Sequence, residues 1–104
     1  MCSDQRSLAC VDRLIHEPSR SNILAILAYV ESADFLYLQH ETGLTKGNLS
    51  VHLSKLEEAG YIIIEKSYRG KIPFTLCRMT SKGRQAFEDY RKQLAQFIEN
   101  TKEK

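Results

Sequence analysis

Residues 42–60 read Thr-Gly-Leu-Thr-Lys-Gly-Asn-Leu-Ser-Val-His-Leu-Ser-Lys-Leu-Glu-Glu-Ala-Gly, and this run leaves little choice of local structure. Gly43 can take the positive φ that a sharp turn requires. Thr45 can then cap a helix, its hydroxyl accepting from a free N–H of the first turn. Gly60 supplies the stop. Between these caps Leu49, Leu53 and Leu56 recur at i, i+4, i+7, which predicts a helix over 45–59 with one buried stripe. At about 100° per residue the opposite face carries Gly47, Asn48, Val51, Ser54 and Lys55. Ser50 lies at one edge of that face and His52 at the other, beside the leucines. No acid interrupts it before Glu57 and Glu58. A merely solvated helix face usually mixes Glu with Lys. This face is small, polar and hydrogen-bonding, so it can approach a surface closely and suits base edges and phosphates. The plainer alternative is an ordinary half-buried helix with a Ser/Asn-rich outside, and the flanking segments bear on the choice.

After the helix the period changes from helical to alternating. Tyr61-Ile-Ile-Ile-Glu-Lys-Ser-Tyr68 is β-branched and aromatic and predicts a strand. Arg69-Gly-Lys-Ile-Pro73 is turn chemistry with two cations at its tip, and Phe74–Met79 is the returning strand. Upstream, Leu8, Val11, Leu14 and Ile15 predict a short first helix ending near His16. Pro18 suits the first position of a second helix, about 18–31, whose Ile23, Leu24, Ile26, Leu27 and Val30 place it centrally in the core. Tyr29 could line a small pocket, although a core or interface position is the commoner place for such an aromatic. Ser32 or Asp34 can cap a third helix, roughly 34–42, with Phe35, Leu36 and Leu38 inward. That helix, the Gly43-Leu44 turn and the 45–59 helix have the layout of a helix-turn-helix. Adding a basic-tipped hairpin gives the winged-helix arrangement, whose wing can follow the sugar-phosphate backbone or enter the minor groove.

Thr80 can cap the last helix, about 81–100. Its Phe87, Tyr90, Leu94, Phe97 and Ile98 form a stripe with steps of 3, 4, 3 and 1, like a coiled-coil seam. The helix is long for so small a chain, and a core exists without it. It is therefore expected to be a dimerisation element, packed with Leu8 and Val11 of the first helix; the alternative is that it folds back on its own core.

A length of 104 residues implies a single domain over 1–104, with residues 1–7 expected to be disordered. The hydrophobic content of 42% and charged content of 27% are those of a soluble globular protein. No apolar run approaches a membrane span and no signal pattern opens the chain, so a cytoplasmic location is expected. The net charge is only +2 but is unevenly spread. Residues 1–44 hold three basic and six acidic residues, a balance of −3, and residues 45–104 hold twelve basic and seven acidic, a balance of +5. Within 66–78, Lys66, Arg69, Lys71 and Arg78 stand with no acid, a patch that suits a polyanion. Charge that merely keeps an edge hairpin soluble would look the same. The odd set of Cys2, Cys10 and Cys77 makes no CxxC and is expected to be reduced.

In these features the chain resembles the small winged-helix transcriptional regulators related to the MarR and ArsR groups. The similarity runs from about Val11 to Phe97. It is carried by Leu14-Ile-His-Glu-Pro-Ser-Arg20, Ala33-Asp-Phe35, the stretch 42–61, Gly70-Lys-Ile-Pro73 and Arg78-Met-Thr-Ser-Lys-Gly-Arg84. The resemblance implies a homodimer on a pseudo-palindromic double-stranded DNA operator, with the 45–59 helix in the major groove of each half-site. Thr45, Lys46, Asn48, Ser50, His52, Ser54 and Lys55 would be the helix contacts, and Arg69 and Lys71 the wing contacts. The returning strand of such proteins often carries an aromatic where this chain has Cys77. The metal-binding cysteine motif of many ArsR-type sensors is absent from 34–42, so metal sensing is not implied.

Chemistry sorts the roles further. Lys46, Lys55 and the hydroxyls of Thr45 and Ser54 suit phosphates. Asn48 suits adenine, His52 a guanine or a phosphate, and Val51 a thymine methyl. The sequence has no phosphate-binding glycine loop, no HExxH and no serine elbow, so neither an enzyme nor a cofactor is expected. A zinc site from Cys2, Cys10 and a histidine fits no standard spacing. A thiol switch would need Cys2 or Cys10 at a dimer interface. The expectation is a dimeric winged-helix regulator, a repressor by preference, with a small-molecule effector left open. A winged helix that binds only protein would instead show an acidic or apolar 45–59 face.

Overall fold

The computed structural model describes residues 8–103; the expectation for residues 1–7 lies outside them. The elements run α1 (Pro18–Leu27), β1 (Ala33–Asp34), α2 (Phe35–Thr42), α3 (Lys46–Glu58), β2 (Ile62–Arg69), β3 (Ile72–Met79) and α4 (Ser81–Asn100). The three strands form one antiparallel sheet in the order β1-β3-β2. This is a winged helix with a long C-terminal helix, as the sequence implies.

The core is the leucine and isoleucine set that the periodicity selects. Ile23, Leu24, Leu27, Leu38, Leu49, Leu56 and Ile62 are fully buried, and Leu53 nearly so. Helix α3 therefore presents its whole leucine stripe inward, which commits the other face to solvent. Removing one of these side chains should cost about 2–5 kcal/mol in lost transfer energy and cavity. Cys77 fills the returning strand's core position, opposite Ile64 and Ala33 in the register.

Three expectations about these elements are corrected. Residues 8–16 form turns and no regular helix. The reason is Asp12, whose Oδ1 accepts from Leu14 N (2.9 Å) and Ile15 N (3.3 Å) and so competes with helical bonding. Helix α1 ends at Leu27 and not near residue 31, although Val30 still packs against the core. Leu36 is 73% exposed. It lies two residues before buried Leu38, so on a 3.6-residue period it must point away. Of the two caps expected for α2, Asp34 is the one used, accepting a 2.7 Å bond from Tyr37 N.

The last helix keeps its expected bounds. Thr80 caps it by accepting from Gly83 N (2.9 Å) and ties it to the preceding turn by donating to Gly60 O (2.6 Å). It packs on the core from Gly83 to Leu94, with Gly83 and Tyr90 buried and Ala86, Phe87 and Leu94 half-buried. Val11 and Tyr90, expected at an interface, belong to this chain's own core, where both are 6% exposed. Leu8 also packs against it. Phe97 is half-buried and Ile98 is exposed. Cys10 is disulfide-bonded, which corrects the expectation of three reduced thiols at that residue. Cys77 is a free buried thiol.

Candidate nucleic-acid interface

Helix α3 begins where Thr45 Oγ1 accepts from Asn48 N (3.1 Å), and the left-handed Gly43 (φ +71) provides the turn before it. Its first turn contains no acid, so the free N–H groups and the positive end of the helix dipole are unopposed. Thr45, Lys46, Gly47, Asn48, Ser50, Val51, Ser54 and Lys55 are all exposed. The polar face inferred from the periodicity is therefore a real solvent-facing strip of short donors and acceptors.

The hairpin closes through a two-residue loop, Gly70-Lys71, between the paired Arg69 and Ile72. Gly70 has φ +64, the conformation such tight hairpins need at their first central position. The tip stands beside α3: Lys46 and Ser50 share a groove with Arg69, Ile72, Pro73 and Phe74. The structure thus brings Lys46 and Ser50 of the expected helix contacts and Arg69 of the expected wing contacts to one groove.

The cations of the hairpin are not equivalent. Arg78 directs Nε (3.1 Å) and Nη2 (2.9 Å) onto Glu65 Oε1 and is neutralised there. Arg69 pairs with Asp34 Oδ2 at 3.4 Å, and its guanidinium lies 4.5 Å from the centre of the Phe74 ring. Lys66 and Lys71 are exposed and make no ion pair among the described residues. The sequence patch of four cations therefore offers three to a partner.

His52 sits differently from the other expected contacts. Its side chain is only 19% exposed, and its Nδ1 meets Arg20 Nη1 at 3.1 Å and Glu17 Oε2 at 3.6 Å. Glu17 caps α1 by accepting from Ser19 N and Arg20 N, both at 2.9 Å. Desolvation pulls its carboxyl up. The two backbone donors, with His52 and Arg20, outweigh that and hold it below the usual carboxylate value of 4.5. Sequence reasoning assigned no role to Glu17 or Arg20. Arg20 and His52 are 32 residues apart, and nothing in either local pattern announces the contact.

A second concavity, a cleft of about 700 Å³, lies between α1 and α4 and is lined by Ala25, Tyr29, Phe87, Tyr90, Arg91 and Leu94 among others. Tyr29 lines its edge and is 88% exposed, so it is not a core residue. Among the described residues, no three His, Cys, Asp or Glu side chains converge as metal ligands. Nor is any helix long and apolar enough to cross a membrane.

Comparison with known proteins agrees with this geometry. Residues 20–98 match a family model described as a winged helix DNA-binding domain. An uncharacterized protein of Methanocaldococcus jannaschii is 38% identical over 89 residues, covering 85% of this chain and 96% of that one. A transcriptional regulator homologue from Pyrococcus horikoshii superposes with a TM-score of 0.81 at 26% identity, covering 86% of this chain and 88% of the other. The repressor CouR, solved on a 23-mer DNA duplex, shares the fold with a TM-score of 0.74 at 22% identity, covering 89% of this chain and 65% of its own.

Proposed function

The chain belongs to the winged helix DNA-binding domain family, and from that premise we propose that it is a homodimeric, sequence-specific repressor of transcription. Family and fold are those of a DNA-binding transcriptional regulator, a class that typically performs no catalysis. Helix α3 enters the major groove of each half-site, and the hairpin tip runs along the backbone or into the minor groove. The observation that carries this reading is the acid-free exposed strip from Thr45 to Lys55, whose Lys46 and Ser50 share a groove with the exposed cation Arg69, with Lys71 following in the hairpin loop.

Lys46, Lys55, Thr45 and Ser54 meet phosphates, and Asn48 reads a base, with Ser50 beside it. Helix α4 supplies the dimer contact through Phe97 and Ile98 beyond the core, continuing the stripe of Phe87 and Leu94. Two such helices would set the α3 pair about one helical turn of DNA apart, roughly 34–36 Å. The cleft between α1 and α4 is where a small-molecule effector would lodge, next to the dimer helix. Such a protein works in the cytoplasm.

The test is fluorescence anisotropy on a duplex from the gene's own upstream region against a scrambled duplex, at two salt concentrations. Tight, salt-sensitive binding that favours the upstream duplex is expected. Asn48→Ala should cost about 1–3 kcal/mol and relax preference at one base pair. No binding to either duplex at low salt would overturn the reading in favour of a protein-binding winged helix. Sedimentation equilibrium should give a dimer that Ile98→Asp weakens.

A further inference from the structure

The contacts of His52 determine which of its nitrogens carries hydrogen. Arg20 Nη1 lies 3.1 Å from Nδ1. A guanidinium has only donors and stays charged, so the bond exists only if Nδ1 offers its lone pair. The ring proton of neutral His52 is then on Nε2. Arg20 is itself fixed: its Nε donates to Leu14 O at 2.5 Å, and Glu17 Oε2 lies 3.8 Å from its Nη1. If the ring took a second proton, its charge would face the Glu17 carboxylate at ion-pair distance, Oε2 lying 3.6 Å from Nδ1, and Nε2 would still carry hydrogen. Only the neutral Nδ1–H form lacks a donor at Nε2, and Arg20 excludes that form.

Nε2 itself makes no hydrogen bond among the described residues. Yet no side-chain nitrogen or oxygen among the described residues is both fully buried and unpartnered. Nε2 therefore reaches solvent, from the edge of α3 one turn beyond exposed Asn48 and three residues before exposed Lys55. A half-buried ring pinned at one nitrogen cannot swing, so the other nitrogen presents an N–H in one direction.

We propose that Arg20 and Glu17 are positioning residues that lock His52 in the Nε2–H form, making it a pre-oriented donor to a DNA phosphate oxygen. The inference rests on the DNA-binding reading above. A phosphate is the acceptor, rather than a base, because His52 lies at the margin of the α3 strip. A helix in the major groove has backbone at its margins and bases beneath its centre.

Two experiments test this on the full chain. The first needs no DNA: long-range ¹H–¹⁵N correlation of protein labelled at histidine. It should show His52 as a single Nε2–H form in the wild type and as a mixture of both neutral forms in folded Arg20→Met. An Nδ1–H form in the wild type, or an unchanged ring in Arg20→Met, overturns the positioning role. The second compares His52→Asn with His52→Gln by anisotropy on the upstream and scrambled duplexes. The asparagine oxygen can replace Nδ1 towards Arg20 but places no donor where Nε2 was; the glutamine amide reaches that place. Asparagine should keep the wild-type Tm and lose about tenfold in affinity, the scale of one charge-assisted hydrogen bond. Glutamine should lose several-fold less. An equal loss on both duplexes supports a phosphate, whereas a loss confined to the upstream duplex overturns that assignment. Wild-type binding with no loss in His52→Asn overturns the inference alone. Failure of the wild type to bind either duplex overturns the DNA-binding reading and this inference with it.

Discussion

The same substitution, glycine to alanine in the first turn of a helix, should have opposite effects at Gly83 and Gly47. Gly83 is buried at the third residue of α4. A Cβ there would lie 2.1 Å from Tyr61 O, 2.9 Å from Tyr61 C and 3.0 Å from Tyr61 Cα. These are backbone atoms, and Tyr61 O is held as the acceptor of Thr80 N at 3.0 Å. Relief requires α4 to retreat from the 60–61 turn by more than an ångström, which loosens the Thr80 bonds that dock it. Overpacking costs about 1–3 kcal/mol, and contact with fixed backbone belongs at the upper end. Against this, alanine gains at most ~1 kcal/mol of helix propensity. The net loss is about 2 kcal/mol, which in a domain of this size lowers Tm by roughly 8–16 °C. At Gly47 a Cβ meets nothing within 4 Å. Gly47→Ala should therefore gain about 0.4–1 kcal/mol, mostly by restricting the unfolded chain. It should also weaken DNA binding, because the added methyl stands on the strip that approaches the duplex. Thermal unfolding by circular dichroism reads both variants. A Gly83→Ala protein as stable as the wild type would refute the reasoning, and so would equal losses at the two sites.

Three further outcomes follow from the same geometry. Glu17 has a carboxyl held below 4.5 by its capping bonds and neighbours, so its contribution is present above that value and lost as pH falls through its folded value. The Tm gap between wild type and Glu17→Gln should narrow below about pH 4.5, and a gap independent of pH would contradict the assignment. Burial, with Glu57 nearby as a second cause, pushes the Cys77 thiol up to about 11. Peptide mass spectrometry should find Cys77 unmodified by a maleimide at pH 8 until urea is added. If Lys46, Lys55, Arg69 and Lys71 each neutralise one phosphate per protomer, log K against log salt should slope by about −7 for the dimer and about −5 for Lys71→Ala; a wild-type slope shallower than about −3 would discard these contacts.

What was legible in the sequence was what the local pattern decides. The leucine period, Gly43 and Thr45 set α3 within a residue or so of its observed ends. Thr80 did the same for α4, and the change to alternating β-branched residues gave the hairpin. The N-terminal helix failed because apolar spacing at Leu8, Val11, Leu14 and Ile15 carries no information about Asp12, whose carboxylate captures the amides of Leu14 and Ile15. Strand β1 was missed because two residues, Ala33 and Asp34, have no period; their strand character comes entirely from pairing with Cys77 and Leu76. Leu36 misled because an apolar residue in a short amphipathic helix is easily counted as inward. The α3 strip and the wing cations could be located from the sequence. Their supports could not, because Arg20 reaches His52 and Asp34 reaches Arg69 across more than thirty residues.

Those supports also divide the wing cations by role. The Arg69–Asp34 pair is at the surface, with the arginine side chain 69% exposed, so it contributes at most ~1 kcal/mol. The cation–π contact with Phe74 adds roughly 0.5–1 kcal/mol and does not compete with an anion, because the ring offers no anionic acceptor for the guanidinium N–H groups. A phosphate can therefore take Arg69 from Asp34 while Phe74 keeps it oriented. Arg78 gives two nitrogens to Glu65 and has no comparable freedom. Lys71, at the turn and in no ion pair among the described residues, is mobile but unguided. The tip of the hairpin thus carries one oriented cation and one mobile one. Counting basic residues along 66–78 measures attraction to a polyanion, but only the partners of each side chain decide which of them fixes the register on it.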